Sequence, residues 1–310
     1  MSPIVSLLSG FVLVLVVGAL LRRSGRAPEQ TSTALNAVIL NVTLPCLIVS
    51  MLYDAPIDTG ALRALLASAI ALVVTAVLTW RIGVWRRWSR PVIGAAVMVA
   101  SFCNTAFLGI PVVRATFPAS LPSSSAAHAT AVLIDAGTTG VLLWTVGVVV
   151  AQRFGGSAST TMRVSFFKIL LQPTTWALLI ATILPALSVP LSAWWQGLLS
   201  SLGTLTGPLV FLSLGFSLDF SAVRLAGRSL LWVIVLKLVV SPAVALAACA
   251  VLAVPAPHND VAVLQSAMPT AMVSSILAGA GGCDKALSTA AAVVTTVLAL
   301  LTLPAWSALT

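Results

Sequence analysis

The chain has 310 residues, of which 59% are hydrophobic and only 7% charged, and its mean hydropathy is +1.11. Soluble domains carry about 25% charged residues, so this composition excludes an ordinary water-soluble domain. The net charge of +9 would point to nucleic acid in a soluble protein, but here the basic residues sit in short gaps between apolar stretches, where they set topology and meet anionic lipid. A hydrocarbon core about 30 Å thick needs about 20 apolar helical residues. In chain order, the expected spans are 3–21, 31–52, 61–80, 91–117, 129–151, 169–187, 195–218, 230–254, 261–280 and 286–306. The first is not read as a signal peptide, because its positive charges follow the apolar run.

Lys and Arg resist translocation, so their distribution sets orientation. Placing the first gap in the cytoplasm puts Arg22, Arg23, Arg26, Arg81, Arg86, Arg87, Arg90, Arg153, Arg163, Lys168, Arg224, Arg228 and Lys285 inside. Only Arg63 and Arg114 fall outside, and Lys237 lies within a span. The expectation is a multi-pass protein of the cell (inner or plasma) membrane with both termini outside the cytoplasm. Cys46, Cys103, Cys249 and Cys283 are isolated in or beside apolar spans, a pattern that supports neither a disulfide framework nor a zinc site.

The basic Gly/Ser/Thr segment at 152–168 divides the spans into five and five. An odd number per half inverts the second half in the membrane, an architecture known in secondary transporters. The expected fold is therefore all-α and polytopic, with ten transmembrane helices as two inverted repeats. Residues 1–151 form the first repeat, 152–168 a cytoplasmic connecting loop and 169–310 the second repeat. Prolines fall in matched spans: Pro45 and Pro208 in spans 2 and 7, Pro111 and Pro269 in spans 4 and 9. Pro111 lacks an amide hydrogen and Gly109 loosens the backbone beside it, so together they are expected to split span 4. Unwound backbone is tolerated at membrane depth only when buried in protein or lining a wet cavity, and free amides at a half-helix N-terminus attract anions. The polar residues of these segments, Asn104 and Thr105 with Gln265, Ser266 and Thr270, are the candidate substrate contacts, completed by Gly109, Pro111 and Pro269.

The segments LNAVILNVTLPCLIV, SFCNTAFLGIPVV, FLSLGFSL and QSAMPTAMVSSILAGAGGCDKALSTAAAVVTTVLALLTLP resemble the auxin efflux carrier family, in order and over essentially the whole chain. That family includes plant PIN carriers and bacterial permeases described as malonate or malate transporters, and the short central loop is similar to the bacterial type. The resemblance implies a fold like that of bile-acid symporters and sodium/proton antiporters, with broken helices 4 and 9 crossing near Pro111 and Pro269. It also implies a dimerising scaffold of helices 1, 2, 6 and 7, an elevator-type transport unit, and a small organic anion as substrate. Plant members have a second proline in helix 9 where this chain has Ser274.

Two charges lie within the expected spans. Asp135 is a candidate proton or cation site, or else a carboxylate that faces an outer vestibule or is capped by Thr138 and Thr139. Lys237 is expected two turns from an inner end, where it either snorkels, forms an ion pair or attracts substrate. His128 and His258 fall in outer loops, which argues against catalysis.

Transport without ATP is the leading reading, because no GxxxxGK[ST] phosphate loop is present. A sodium- or proton-coupled cation antiporter or symporter is the alternative, but Asp135 has no neighbouring carboxylate in the sequence. An intramembrane enzyme would need a buried nucleophile–base pair or metal cluster, and neither pattern occurs. A receptor or channel is the remaining class. No cofactor, no metal and no nucleic-acid partner is expected; lipid, the anion and a second copy of the chain are the expected partners.

Overall fold

The computed structural model describes residues 3–26, 28, 30–53, 58–156, 171, 173–217 and 226–309. All described elements are helical. In chain order they are α1 (Pro3–Arg23), α2 (Thr31–Leu52), α3 (Thr59–Trp85), α4 (Arg90–Ser101), α5 (Thr105–Thr116), α6 (Ser124–Gly155), α7 (Pro173–Ala186), α8 (Ala193–Phe216), α9 (Ser229–Val251), α10 (His258–Ala267), α11 (Met272–Ala280) and α12 (Lys285–Ser307).

Six of these, α2, α3, α6, α8, α9 and α12, are long and apolar enough to cross a membrane. This corrects the ten-helix, inverted-repeat topology expected from the sequence. The stretches at 91–117 and 261–280 are not continuous spans: each divides into two short helices, α4 with α5 and α10 with α11. At 1.5 Å per residue, the 12 residues of α4 reach only about 18 Å, well short of the hydrocarbon core. The 14-residue α7 is short for the same reason. Most of the connecting segment 152–168 lies outside the described residues, as do Arg163, Lys168 and Arg224, while residues 152–155 continue α6.

The helices start and stop where local chemistry requires it. The Asp58 carboxylate accepts from the Ala61 amide 2.8 Å away and caps α3, and Asp284 caps α12 by accepting from Leu287 at 2.8 Å. Gly156, at φ 78°, ends α6 in the left-handed conformation that favours glycine. Trp80 and Trp85 stack near Arg81 and Arg86 at the end of α3, an aromatic and basic grouping suited to the lipid headgroup region. Large apolar side chains such as Leu62, Leu66, Val73 and Val77 remain exposed along α3, as a lipid-facing surface requires.

The chain forms two compact units. The first contains Met1–Ile57, Ala106–Val132 and Leu171–Leu218. In it, α1 packs along α8 with backbones nearly touching. A Cβ on Gly18 would lie 2.5 Å from the Leu212 carbonyl oxygen, and one on Gly215 would collide with that of Leu15. Lipid supplies no hydrophobic drive between helices, so such close approach of small residues does the joining. Arg114 donates to the Ser50 and Ser200 hydroxyls at 3.4 and 2.8 Å within this unit.

The second unit contains Asp58–Thr105, Leu133–Leu170 and Asp219–Thr310. Its centre is α4, whose Ala95, Ala96, Met98, Val99 and Ala100 are all fully buried. They pack against α3, the end of α6, α11 and α12.

The prolines of spans 2, 4 and 7, expected as helix breaks, lie within helical segments and are not themselves the points of interruption. Pro45 follows a π-helical widening at Ile39–Thr43, and α2 continues through it. Pro208 lies in the first turn of the helical segment Thr206–Ser217, separated from Ala193–Thr204 by Leu205 alone. Pro111 lies at the start of Ile110–Thr116, preceded by the π segment Thr105–Gly109, and Gly109 is itself helical at φ −65°. A proline costs little in the first turn, and a local π or terminal adjustment absorbs the missing donor.

Candidate functional site

The second unit holds two helix breaks. One separates α10 from α11 at Met268–Ala271, where Met268 has ψ 149° and Ala271 ψ 126°. Pro269 explains this break, because the residue before a proline is pushed out of the helical region. The other separates α4 from α5 at Phe102–Asn104, with Phe102 at ψ 120°, and it contains no proline.

The two extended segments form a short antiparallel bridge. The Asn104 amide donates to the Pro269 carbonyl at 2.8 Å, and the Ala271 amide donates to the Phe102 carbonyl at 3.0 Å. Thr270 ties the bridge to its surroundings: its hydroxyl donates to the Val99 carbonyl at 2.7 Å, and its amide donates to the Thr295 hydroxyl at 3.1 Å. Each break thus supplies partners for groups that the other leaves outside helical bonding, as burial demands.

Beside the bridge lies a small polar cleft, narrow in this conformation, with room for about one water-sized guest. Ser68, Ser101, Cys103, Thr105, Thr138, Ser241, Gln265 and Ser266 line it together with Leu72 and Ile134. The hydroxyls of Ser68 and Ser101 and the side-chain nitrogen of Asn104 are buried with no protein partner. Buried polar atoms normally find partners, so the two unpartnered hydroxyls lining the cleft, with Asn104 in the adjoining bridge, mark a place for a polar guest.

Both intramembrane charges reach this cleft through one short segment. The Thr105 hydroxyl donates to Asp135 Oδ1 at 2.6 Å and lies 2.7 Å from the Thr139 hydroxyl. Thr138 bonds the Ile134 carbonyl instead, so the expected capping of Asp135 by Thr138 and Thr139 is replaced by a bond from Thr105. Lys237 is fully buried on the π segment Leu236–Val240 and donates to Cys103 Sγ at 2.6 Å. It therefore does not snorkel. The Cys103 thiol also contacts the Ser266 carbonyl at 3.5 Å, which accepts from the Ser241 hydroxyl at 3.3 Å.

Of the residues singled out from the sequence, Asn104, Thr105, Gln265, Ser266, Pro269, Thr270, Asp135 and Lys237 all fall in the second unit. Asn104, Thr105, Gln265, Ser266 and Thr270 are at most 4% exposed. Gly109, Pro111, Pro45 and Pro208 fall in the first unit. Sequence reasoning missed Cys103, Ser68, Ser101 and Ser241 as cleft residues. Small hydroxyls in an Ala-rich helix carry no signal until a neighbour faces them.

Other titratable groups lie elsewhere. His128 is a helix residue bonded to the Phe117 carbonyl at 2.8 Å, not a loop residue. His258 begins α10 and lies 3.3 Å from Asp58. The Ala61 amide bond, with further help from His258, holds the Asp58 carboxyl below its ordinary 3.8. All four cysteines are free, and no cluster of metal-ligating side chains occurs among the described residues.

Residues 3–307 match the profile of a family described as "Membrane transport protein". Among curated relatives, an uncharacterised transporter of Methanothermobacter thermautotrophicus is 31% identical over 310 residues, covering 97% of this chain and 96% of the relative. An uncharacterised transporter of Methanocaldococcus jannaschii is 26% identical over 220 residues, covering 69% of this chain and 67% of the relative.

Proposed function

Because this chain belongs to the membrane transport protein family, a family of transporters and not of enzymes, we propose that it is a secondary carrier of a small organic anion, a carboxylate or an auxin-like acid. The observation that carries the proposal is the cleft beside the two bridged breaks. It is lined by the buried Ser68 and Ser101 hydroxyls, which have no protein partner. Asn104 and Gln265 supply side-chain contacts to the anion in this reading, and Ser266, Thr270 and Thr105 shape the polar wall.

Alternating access follows an elevator-type movement of the second unit. In support, the cleft, both breaks and both intramembrane charges lie within that one compact unit. Assembly as a homodimer, both termini outside the cytoplasm and residence in the cell membrane complete the reading; the first rests on family resemblance and the second on the distribution of basic residues. A cation antiporter is less well supported, because among the described residues Asp135 is bonded by a hydroxyl and no second carboxylate pairs with it.

The test is uptake into proteoliposomes across a panel of mono- and dicarboxylates under imposed pH, sodium and voltage gradients. Saturable uptake with countertransport of unlabelled substrate is expected. Asn104→Ala or Gln265→Ala should weaken apparent affinity by about tenfold, the worth of one buried polar contact. Absence of saturable uptake for every member of the panel, with gradients verified, would sink the proposal.

A further inference from the structure

Lys237 is 0% exposed, yet among the described residues the one hydrogen bond its ammonium makes is to the Cys103 thiol. An ammonium has three donors, and a thiol is a weak acceptor. Among the described residues, no carboxylate lies in ion-pair contact with Lys237. A buried cation is ordinarily held by a carboxylate or by several strong acceptors, since desolvation without them is costly. This cation has neither.

The position of Cys103 gives the deficit a direction. The thiol lines the polar cleft, whereas Lys237 does not, so the sulfur stands between the ammonium and the cleft. The same cleft is lined by the Ser68 and Ser101 hydroxyls, 5% and 1% exposed, which lack protein partners. Every one of these groups can donate a hydrogen bond, and the nearby Asn104 side-chain nitrogen, 2% exposed, adds another donor without a partner. A screened ammonium beside these groups favours an anion, toward which each hydroxyl can turn its hydrogen. Asp135, the other charge near the cleft, takes its hydrogen bond from Thr105 and, among the described residues, forms no ion pair with Lys237.

We propose that Lys237 is the charge that selects a carboxylate in this cleft, and that Cys103 is its cover: the thiol gives way and the entering carboxylate takes its place against the ammonium. This deepens the anion-carrier reading and rests on it. The thiol satisfies the ammonium poorly and neutrally, so the exchange replaces a weak contact with a charge-assisted one. The side chain at position 103 then sets affinity: any group that bonds Lys237 more strongly than a thiol competes with the substrate.

The experiment measures equilibrium binding of acetate, malonate, malate and indole-3-acetate to the purified full-length protein by calorimetry, for wild type, Lys237→Met, Lys237→Arg, Cys103→Ala and Cys103→Asp. Lys237→Met should lose at least about 30-fold in affinity for the anion that wild type binds, as when a buried charge pair is truncated. Lys237→Arg should keep most of it. Cys103→Ala should bind more tightly than wild type, because the cover is gone, and Cys103→Asp should abolish binding by supplying its own carboxylate. Wild-type affinity in Lys237→Met overturns the proposal, as does a loss in Cys103→Ala equal to that in Lys237→Met, which would make the thiol a ligand. If Lys237→Met does not fold, the Cys103 pair decides: tighter binding in Cys103→Ala with none in Cys103→Asp supports it, and equal affinity in both overturns it. Wild type that binds none of the four acids removes the anion-carrier reading itself, a different failure from wild-type binding that ignores Lys237.

Discussion

The Thr105 hydroxyl donates to Asp135 Oδ1 across 2.6 Å, joining the first residue after one helix break to the carboxylate buried in α6. The carboxylate is 9% exposed, and this bond links its state to the segment that bridges α10 and α11. An ionised Asp135 accepts from Thr105, whereas a protonated one becomes a donor and competes for the same oxygen.

If transport is proton-coupled, Asp135→Asn should make it insensitive to an imposed pH gradient, because the amide keeps the shape and removes the titration. Thr105→Val, which keeps the carboxylate and removes its donor, should shift the pH profile without abolishing the dependence. Proteoliposome uptake at a series of pH gradients checks both, and identical profiles in wild type and Asp135→Asn would assign Asp135 a purely structural role.

Thr270→Val should destabilise the bridge. It removes the hydroxyl bond to the Val99 carbonyl in a fully buried setting, worth about 1–3 kcal/mol. The amide bond to Thr295 survives, so the variant should fold with a lower midpoint in detergent thermal unfolding. An unchanged midpoint would mean that the break is held by its backbone bonds alone.

Gly215→Val should disrupt the pairing of α1 with α8. Any Cβ at this position meets the Leu15 carbonyl, a backbone atom that cannot rotate away. Overpacking of this kind costs about 1–3 kcal/mol or more. Gly197→Val in the same helix has open space around it and serves as control. The expected result is a lowered unfolding temperature for Gly215→Val alone.

Asp58 should make the α3 terminus acid-sensitive. Its carboxyl titrates below the ordinary 3.8, so the folded state favours the charged form. A depressed carboxylate contributes stability that is present above its unfolded value and lost as pH falls through the folded one. The stability difference between wild type and Asp58→Ala should therefore be full at pH 6 and shrink as pH falls below about 4. Thermal unfolding at both pH values measures it, and a pH-independent difference would separate the cap from the charge.

The sequence by itself determined that this is an all-helical, multi-pass membrane protein, because apolar run length and charge scarcity are properties of composition. It also marked the Pro269 break, since a proline acts on its own neighbour through local sterics. It misplaced the partner break. Pro111 was the local breaker available to sequence reasoning, yet α5 runs through it, while the interruption at Phe102–Asn104 contains no proline at all. That break exists because the 268–271 segment offers a carbonyl and an amide at the right height, and hydrogen bonds between residues more than 160 positions apart leave no trace in local pattern. The same holds for Lys237. Its distance from a helix end left snorkelling, an ion pair and substrate attraction open, but the surrounding helices close over it and leave it facing Cys103. Burial of a side chain is decided by what packs against it, and only the tertiary structure contains that.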